Sequence, residues 1–116
     1  MDIQVKRVYD EPNKLAGYKV LVDRLWPRGI KKDDLHMDEW AKDITPSTQL
    51  RQDFHKGKID YEKFASLYAD ELVDKAELNV LAERAKRDTL ILLTAVKDID
   101  HSHIPTLKQA IIDAGE

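Results

Sequence analysis

Two short stretches hold most of the side chains that could do chemistry. The first, VLVDRLWPRG, places Arg24 and Arg28 on either side of Trp26 and Pro27. Guanidinium groups hold carboxylate or phosphate through paired N–H donors, and an indole face stacks a base or holds a cation. Arg51 is expected to join them. It follows TPS at the start of a helix, and the N–H groups of a helix start also favour anions. The plain structural alternative has Asp23 paired with an Arg, Trp26 packed against a helix, and Gly29 only turning the chain.

The second stretch sets Asp98, Asp100, His101 and His103 as D-x-D-H-x-H. Carboxylate and imidazole are ligand types for zinc, manganese or iron. The two His are not at the helical spacing of most catalytic zinc motifs, and Asp and Ser ahead of a helix are ordinary caps. No metal and no cofactor are therefore expected. His55, in FHKGK, is a candidate general base if it reaches a site, and otherwise a surface His beside a glycine turn. Asp98 is the other candidate base. No nucleophile elbow, glycine-rich phosphate loop or dinucleotide fingerprint occurs, the four glycines being scattered. VLVDR before a turn resembles a sulfurtransferase strand, but the chain has no cysteine, which removes thiolate chemistry, disulfides and cysteine metal sites.

The elements that would position these groups can be read from periodicity. Ile3, Val5, Val8 and Tyr9 give a first strand with imperfect alternation, and 18–22 a second, more buried one. A short helical piece is expected over 35–41, capped by Asp33 or Asp34. Thr45 before Pro46 reads as the N-cap of the next helix. Asp60 caps a helix whose apolar stripe is Tyr61, Phe64, Ala65, Tyr68 and Leu72. Leu78, Leu81, Ala82 and Ala85 mark a further helix, and Ile104, Leu107, Ala110, Ile111 and Ala114 the last. TLILLTAV is apolar on both faces and is expected to be central and covered on both sides.

These elements predict an α/β fold, a small three-layer domain over 1–116 with a short, mostly parallel sheet of about two or three strands covered by helices. The first two strands are separated by only about eight residues, which leaves a hairpin or a parallel arrangement open. The second strand and TLILLTAV are expected to be parallel. Their C-terminal ends then share one edge, where open α/β sheets bind ligands. DRLWPRG and TAVKDIDHSH would meet there, bringing Arg24, Trp26, Arg28 and Arg51 opposite Asp98.

Charge is unevenly placed. Residues 1–32 carry eight Lys/Arg against four Asp/Glu, while the remainder carries eleven against eighteen. The basic segment suits a local anion, and the acidic remainder would repel long nucleic acid. At 42% apolar and 35% charged residues, the composition is that of a folded, soluble chain. No run reaches the ~18 apolar residues of a membrane span, and the charged N-terminus does not read as a signal peptide. A cytoplasmic setting is the expectation, and no membrane is expected among its partners.

VLVDRLWPRG, the Trp40 segment leading to TPSTQLR, YEKFASLYADEL and TLILLTAVKD together resemble the YeaO-like branch of domain-of-unknown-function family 488. The resemblance covers nearly the whole chain. It implies a small cytosolic bacterial or archaeal α/β protein and no established activity. The family pattern favours Ala, Trp, Tyr and Asn where this chain has Thr45, Tyr61, Thr94 and Ser102.

The leading expectation is binding of a small anionic ligand, phosphate-, carboxylate- or nucleotide-like, by Arg24, Trp26, Arg28, Arg51 and Asp98. One alternative is a hydrolase or transferase at the same crevice, with Asp98 or His55 as base and the Arg residues holding developing charge. Another is a regulatory or interaction protein with weak nucleic-acid contact. The residues leave open whether the protein is an enzyme, and its oligomeric state.

Overall fold

The computed structural model describes residues 1–116. Strands β1 (Asp2–Arg7), β2 (Tyr18–Leu21), β3 (Glu39–Trp40) and β4 (Thr89–Thr94) form one sheet in the order β1-β4-β2-β3. Every neighbouring pair is parallel, so all four C-terminal ends lie on one edge. Helices α1 (Thr48–His55), α2 (Tyr61–Leu72) and α3 (Ala76–Arg87) lie between β3 and β4, and α4 (Ile104–Ala114) follows β4.

The sheet has four strands rather than two or three. The added one, β3, lies where a helical piece is expected over 35–41. Asp33 and Asp34 belong to a 3-10 turn, Lys32–Asp34, and cap no α-helix. Only Glu39 and Trp40 pair with β2, opposite Val20 and Leu21, and two residues are too few to leave a period in the sequence. The hairpin does not form either. β4 lies between β1 and β2, and the link over 8–17 crosses it with only the 3-10 turn Pro12–Lys14 as a helical piece. That short crossover presses Gly17 against β4. A Cβ there would lie 2.8 Å from the Thr89 carbonyl oxygen, and φ is +145°.

β4 is the central strand, buried from Leu90 to Thr94. Its alternation divides two cores. Leu90 and Leu92 join Val20 and Val22 beneath Phe64, Tyr68, Leu81 and Leu107 of the helices. Ile91 and Leu93 join Leu21, Val8 and Leu35, covered by Trp26, Met37 and Trp40. The second layer of cover is thus irregular chain anchored by two indoles, where helices are expected. Each buried aliphatic side chain contributes roughly 1.5–3 kcal/mol, which is why a strand apolar on both faces takes the middle of the sheet.

Asp60 caps α2 as expected, its Oδ1 accepting from the Lys63 N–H at 2.8 Å. The start of α1 falls two residues later than expected. Ser47 is the cap, its Oγ accepting from the Leu50 N–H at 3.2 Å, while the Thr45 hydroxyl donates back to the Lys42 carbonyl at 2.6 Å. No helix is long and apolar enough to cross a membrane.

Candidate functional site

At the C-terminal edge of the sheet, the chains leaving β2 and β4 diverge around a cleft of about 490 Å³. Arg24, Trp26, Arg28, Arg51, His55 and Asp98 all line it. The topology brings them together, because β2 and β4 are adjacent and parallel and α1 packs beside their ends.

Asp23 forms the floor. Its Oδ1 accepts from the Thr94 hydroxyl and its Oδ2 from the Ala95 N–H, both at 2.7 Å. One carboxylate thus ties the end of β2 to the end of β4. His103, buried at the start of α4, approaches the same group. Its Nε2 lies 2.7 Å from the Val22 carbonyl oxygen and 3.3 Å from Asp23 Oδ1. The Asp23 carbonyl accepts from the Trp40 indole N–H at 2.7 Å, which adds β3 to the junction. Asp23 is therefore paired with a hydroxyl, an amide and an imidazole, and with no Arg.

The cationic side is different. Arg24, Arg28 and Arg51 form no ion pair with any carboxylate of the chain. Arg24 Nε donates to the Pro46 carbonyl at 3.1 Å, which holds the stem and leaves the terminal nitrogens free. The Arg28 carbonyl accepts from the Tyr9 hydroxyl at 2.9 Å, so the loop is fixed through its backbone and the guanidinium is not. Gly29, at φ +77°, turns the chain in a conformation few other residues adopt. Arg51 Nε is sealed from solvent with no acceptor.

The anion expected at the α1 N-terminus is already there, supplied by the chain. The Ser47 N–H and hydroxyl donate to Glu71 at 2.8 and 2.6 Å. That start opens on a second, smaller hollow with Arg24 on the shared wall. Arg51 instead reaches the main cleft from the body of the helix.

Trp26 lines the cleft but is anchored beneath it. Its indole N–H donates to the Ile30 carbonyl at 2.6 Å, and its ring meets Trp40 edge-on at 5.3 Å. It packs against a strand residue rather than a helix. His55 ends α1, exposed, with only Phe54 beside its ring, at 6.1 Å. D-x-D-H-x-H splits apart. His101 pairs with Asp98 at 3.0 Å on the rim, His103 turns to the floor, and no three such groups converge. Ser102 lies just ahead of α4, whose N-cap is His103, and its Oγ accepts from the Ile104 N–H at 3.1 Å.

Sequence reasoning missed the aromatic flank. Phe54 stacks on Phe64 at 4.5 Å, and both line the cleft although Phe64 reads as part of a helix's apolar stripe. Tyr68 lies behind them, burial pushing its hydroxyl far up, so that it stays a donor to the Ile44 carbonyl. Tyr61 is also raised, by burial first and then by Asp100 and Asp98, and donates to the Ser102 carbonyl at 2.8 Å. Arg7 was legible only as charge. It ends β1 and its Nε donates to the Val96 carbonyl at 2.9 Å, bracing the loop after β4.

Comparison with known proteins places the chain in a group of relatives. The family model described as "Inactive DUF488-N3 subclade" matches residues 2–116. "Uncharacterized protein YeaO" of Escherichia coli is 51% identical over 104 residues, 89% of this chain and 90% of the relative. "Uncharacterized protein Rv3073c" of Mycobacterium tuberculosis is 38% identical over 109 residues, 94% of this chain and 92% of the relative. No solved structure gives a significant match.

Proposed function

Starting from a chain that belongs to the YeaO-like branch of the DUF488 family, we propose that it binds a small anionic ligand, phosphate-, carboxylate- or nucleotide-like, in the cleft at the C-terminal edge of its sheet. The observation that carries this reading is the set of three guanidinium groups, Arg24, Arg28 and Arg51, that line one cleft without a carboxylate partner in the chain. Like charges held together repel unless something neutralises them, and an oxyanion does so with paired N–H···O bonds. A cytosolic setting belongs to the same proposal, supported by the absence of cysteine.

Hydrolysis or transfer at this cleft would use Asp98 or His55 as base. His55 has no hydrogen-bond partner to orient its ring, and the matching subclade is described as inactive. Both favour binding over turnover. The acidic body of the chain disfavours nucleic acid as the main partner.

A ligand that binds only the folded state raises the melting temperature by mass action. Inorganic phosphate should therefore raise it in the native protein, while chloride at equal ionic strength should not. Arg24→Ala combined with Arg28→Ala should abolish the response. A native protein indifferent to phosphate and to simple carboxylates would end this reading.

A further inference from the structure

We propose that the ligand is a phosphate ester with free hydroxyl groups, the ribose 5-phosphate unit common to nucleotides and sugar phosphates, and that Asp98 and His103 accept from those hydroxyls. This inference rests on the anion-binding reading and names the ligand class.

It starts from two acceptors that nothing in the chain uses. The partners of His103 Nε2 are a carbonyl and a carboxylate oxygen, both acceptors, so Nε2 carries the ring proton. In the neutral ring Nδ1 then bears a lone pair. No donor of the protein meets it, although His103 is only 8% exposed and lines the cleft. Asp98 is in a similar position on the rim. Its Oδ2 is matched to His101 Nδ1 at 3.0 Å, and its Oδ1 has no donor.

A bare anion gains nothing from this wall. Asp98 would repel it, opposing the three Arg residues on the other side. A carboxylate beside an anion site becomes favourable when the ligand brings donors of its own. Hydroxyls are such donors, and recognition of ribose hydroxyls by a carboxylate is an established mode at the C-terminal ends of parallel strands. Three guanidinium groups suit the three terminal oxygens of a phosphate monoester better than the two of a carboxylate. Half-buried Phe54, stacked on buried Phe64, gives the cleft an apolar flank for sugar or base. The volume of about 490 Å³ falls within the roughly 300–1,000 Å³ usual for small-molecule sites.

Calorimetric titration of the native protein with inorganic phosphate, ribose 5-phosphate and adenosine monophosphate tests this. Both esters should bind at least roughly tenfold tighter than phosphate, the effect of one hydrogen bond to a charged acceptor. Adenosine monophosphate binding more tightly than ribose 5-phosphate would assign a nucleotide, and the converse or equality a sugar phosphate. Asp98→Ala should weaken ribose 5-phosphate about tenfold while leaving phosphate equal or tighter, a crossed effect that loss of folding cannot produce. His103→Asn should weaken the ester alone, and if it does not fold, Asp98→Ala decides. Equal affinity for all three probes, or Asp98→Ala moving both in one direction, overturns the ligand class and leaves the anion reading standing. No binding of any of the three overturns the ligand class, and indifference to simple carboxylates as well overturns both readings.

Discussion

Two carboxylates at the same edge of the sheet are in opposite circumstances. Asp23 is nearly enclosed, its side chain 13% exposed, and both oxygens accept from groups of the chain. Asp98 is 69% exposed in its side chain, with one oxygen matched and the other open to the cleft. The same contrast separates floor from rim. Below, the Thr94 hydroxyl, the Ala95 N–H and His103 Nε2 converge on the Asp23 carboxylate. Above, three Arg residues lack counter-charge. A saturated region holds a fold together, whereas an unsaturated one in a cleft is where a ligand has something to add.

The largest expected effect is at the floor. Asp23→Ala leaves the Thr94 hydroxyl and the Ala95 N–H without an acceptor, and stability measured by urea denaturation should fall by roughly 3–5 kcal/mol. A loss under about 1 kcal/mol would break the contrast, by showing that water serves Thr94 and Ala95 as well as the carboxylate does. Ser47→Ala removes a helix cap and the hydroxyl donor to Glu71, at a cost of about 1–2 kcal/mol in the same measurement.

Arg28→Ala probes the rim. Stability should change by no more than about 0.5 kcal/mol, since the guanidinium is exposed and its loop is held by the Tyr9 bond to the backbone. The phosphate-induced rise in melting temperature should shrink in this variant, and added salt should weaken it in both proteins. A loss near that of Asp23→Ala would make Arg28 a scaffold residue and erase the distinction.

A third carboxylate sharpens the comparison with the smallest effect. Glu77, on α3, meets the Glu39 carboxyl instead of donors, and that contact, with burial second, holds its pKa at about 7. The folded value lies above the ordinary 4.5, so its contribution to stability is complete below about pH 4.5 and is lost as pH rises through about 7. Glu77→Gln should therefore flatten the decline in the urea midpoint between pH 5 and pH 8. A slope unchanged by the substitution would show that this pair is not its source.

Much of the fold was legible because periodicity survives in single elements. The central strand, the α2 cap at Asp60 and the last helix follow from local pattern, as does the common edge once two strands are parallel. The two-residue β3 and the 3-10 turn before it leave no period to read. Insertion of β4 between β1 and β2 is a choice among pairings that no local signal encodes. Residue types marked side chains that the fold brings to one cleft, Arg24, Trp26, Arg28, Arg51, His55 and Asp98. Their individual states were not legible.

The sequence by itself determined an α/β chain whose reactive side chains gather at two strand ends, because side-chain type and alternation are local properties. The tertiary structure decided which of those groups are spent. Asp23 and Arg24 are neighbours in the chain, yet one is enclosed by β4 and α4 and the other faces a cleft. Whether a polar group has its partners depends on what other segments bring within about 3 Å, and that distance is set by packing, not by sequence spacing.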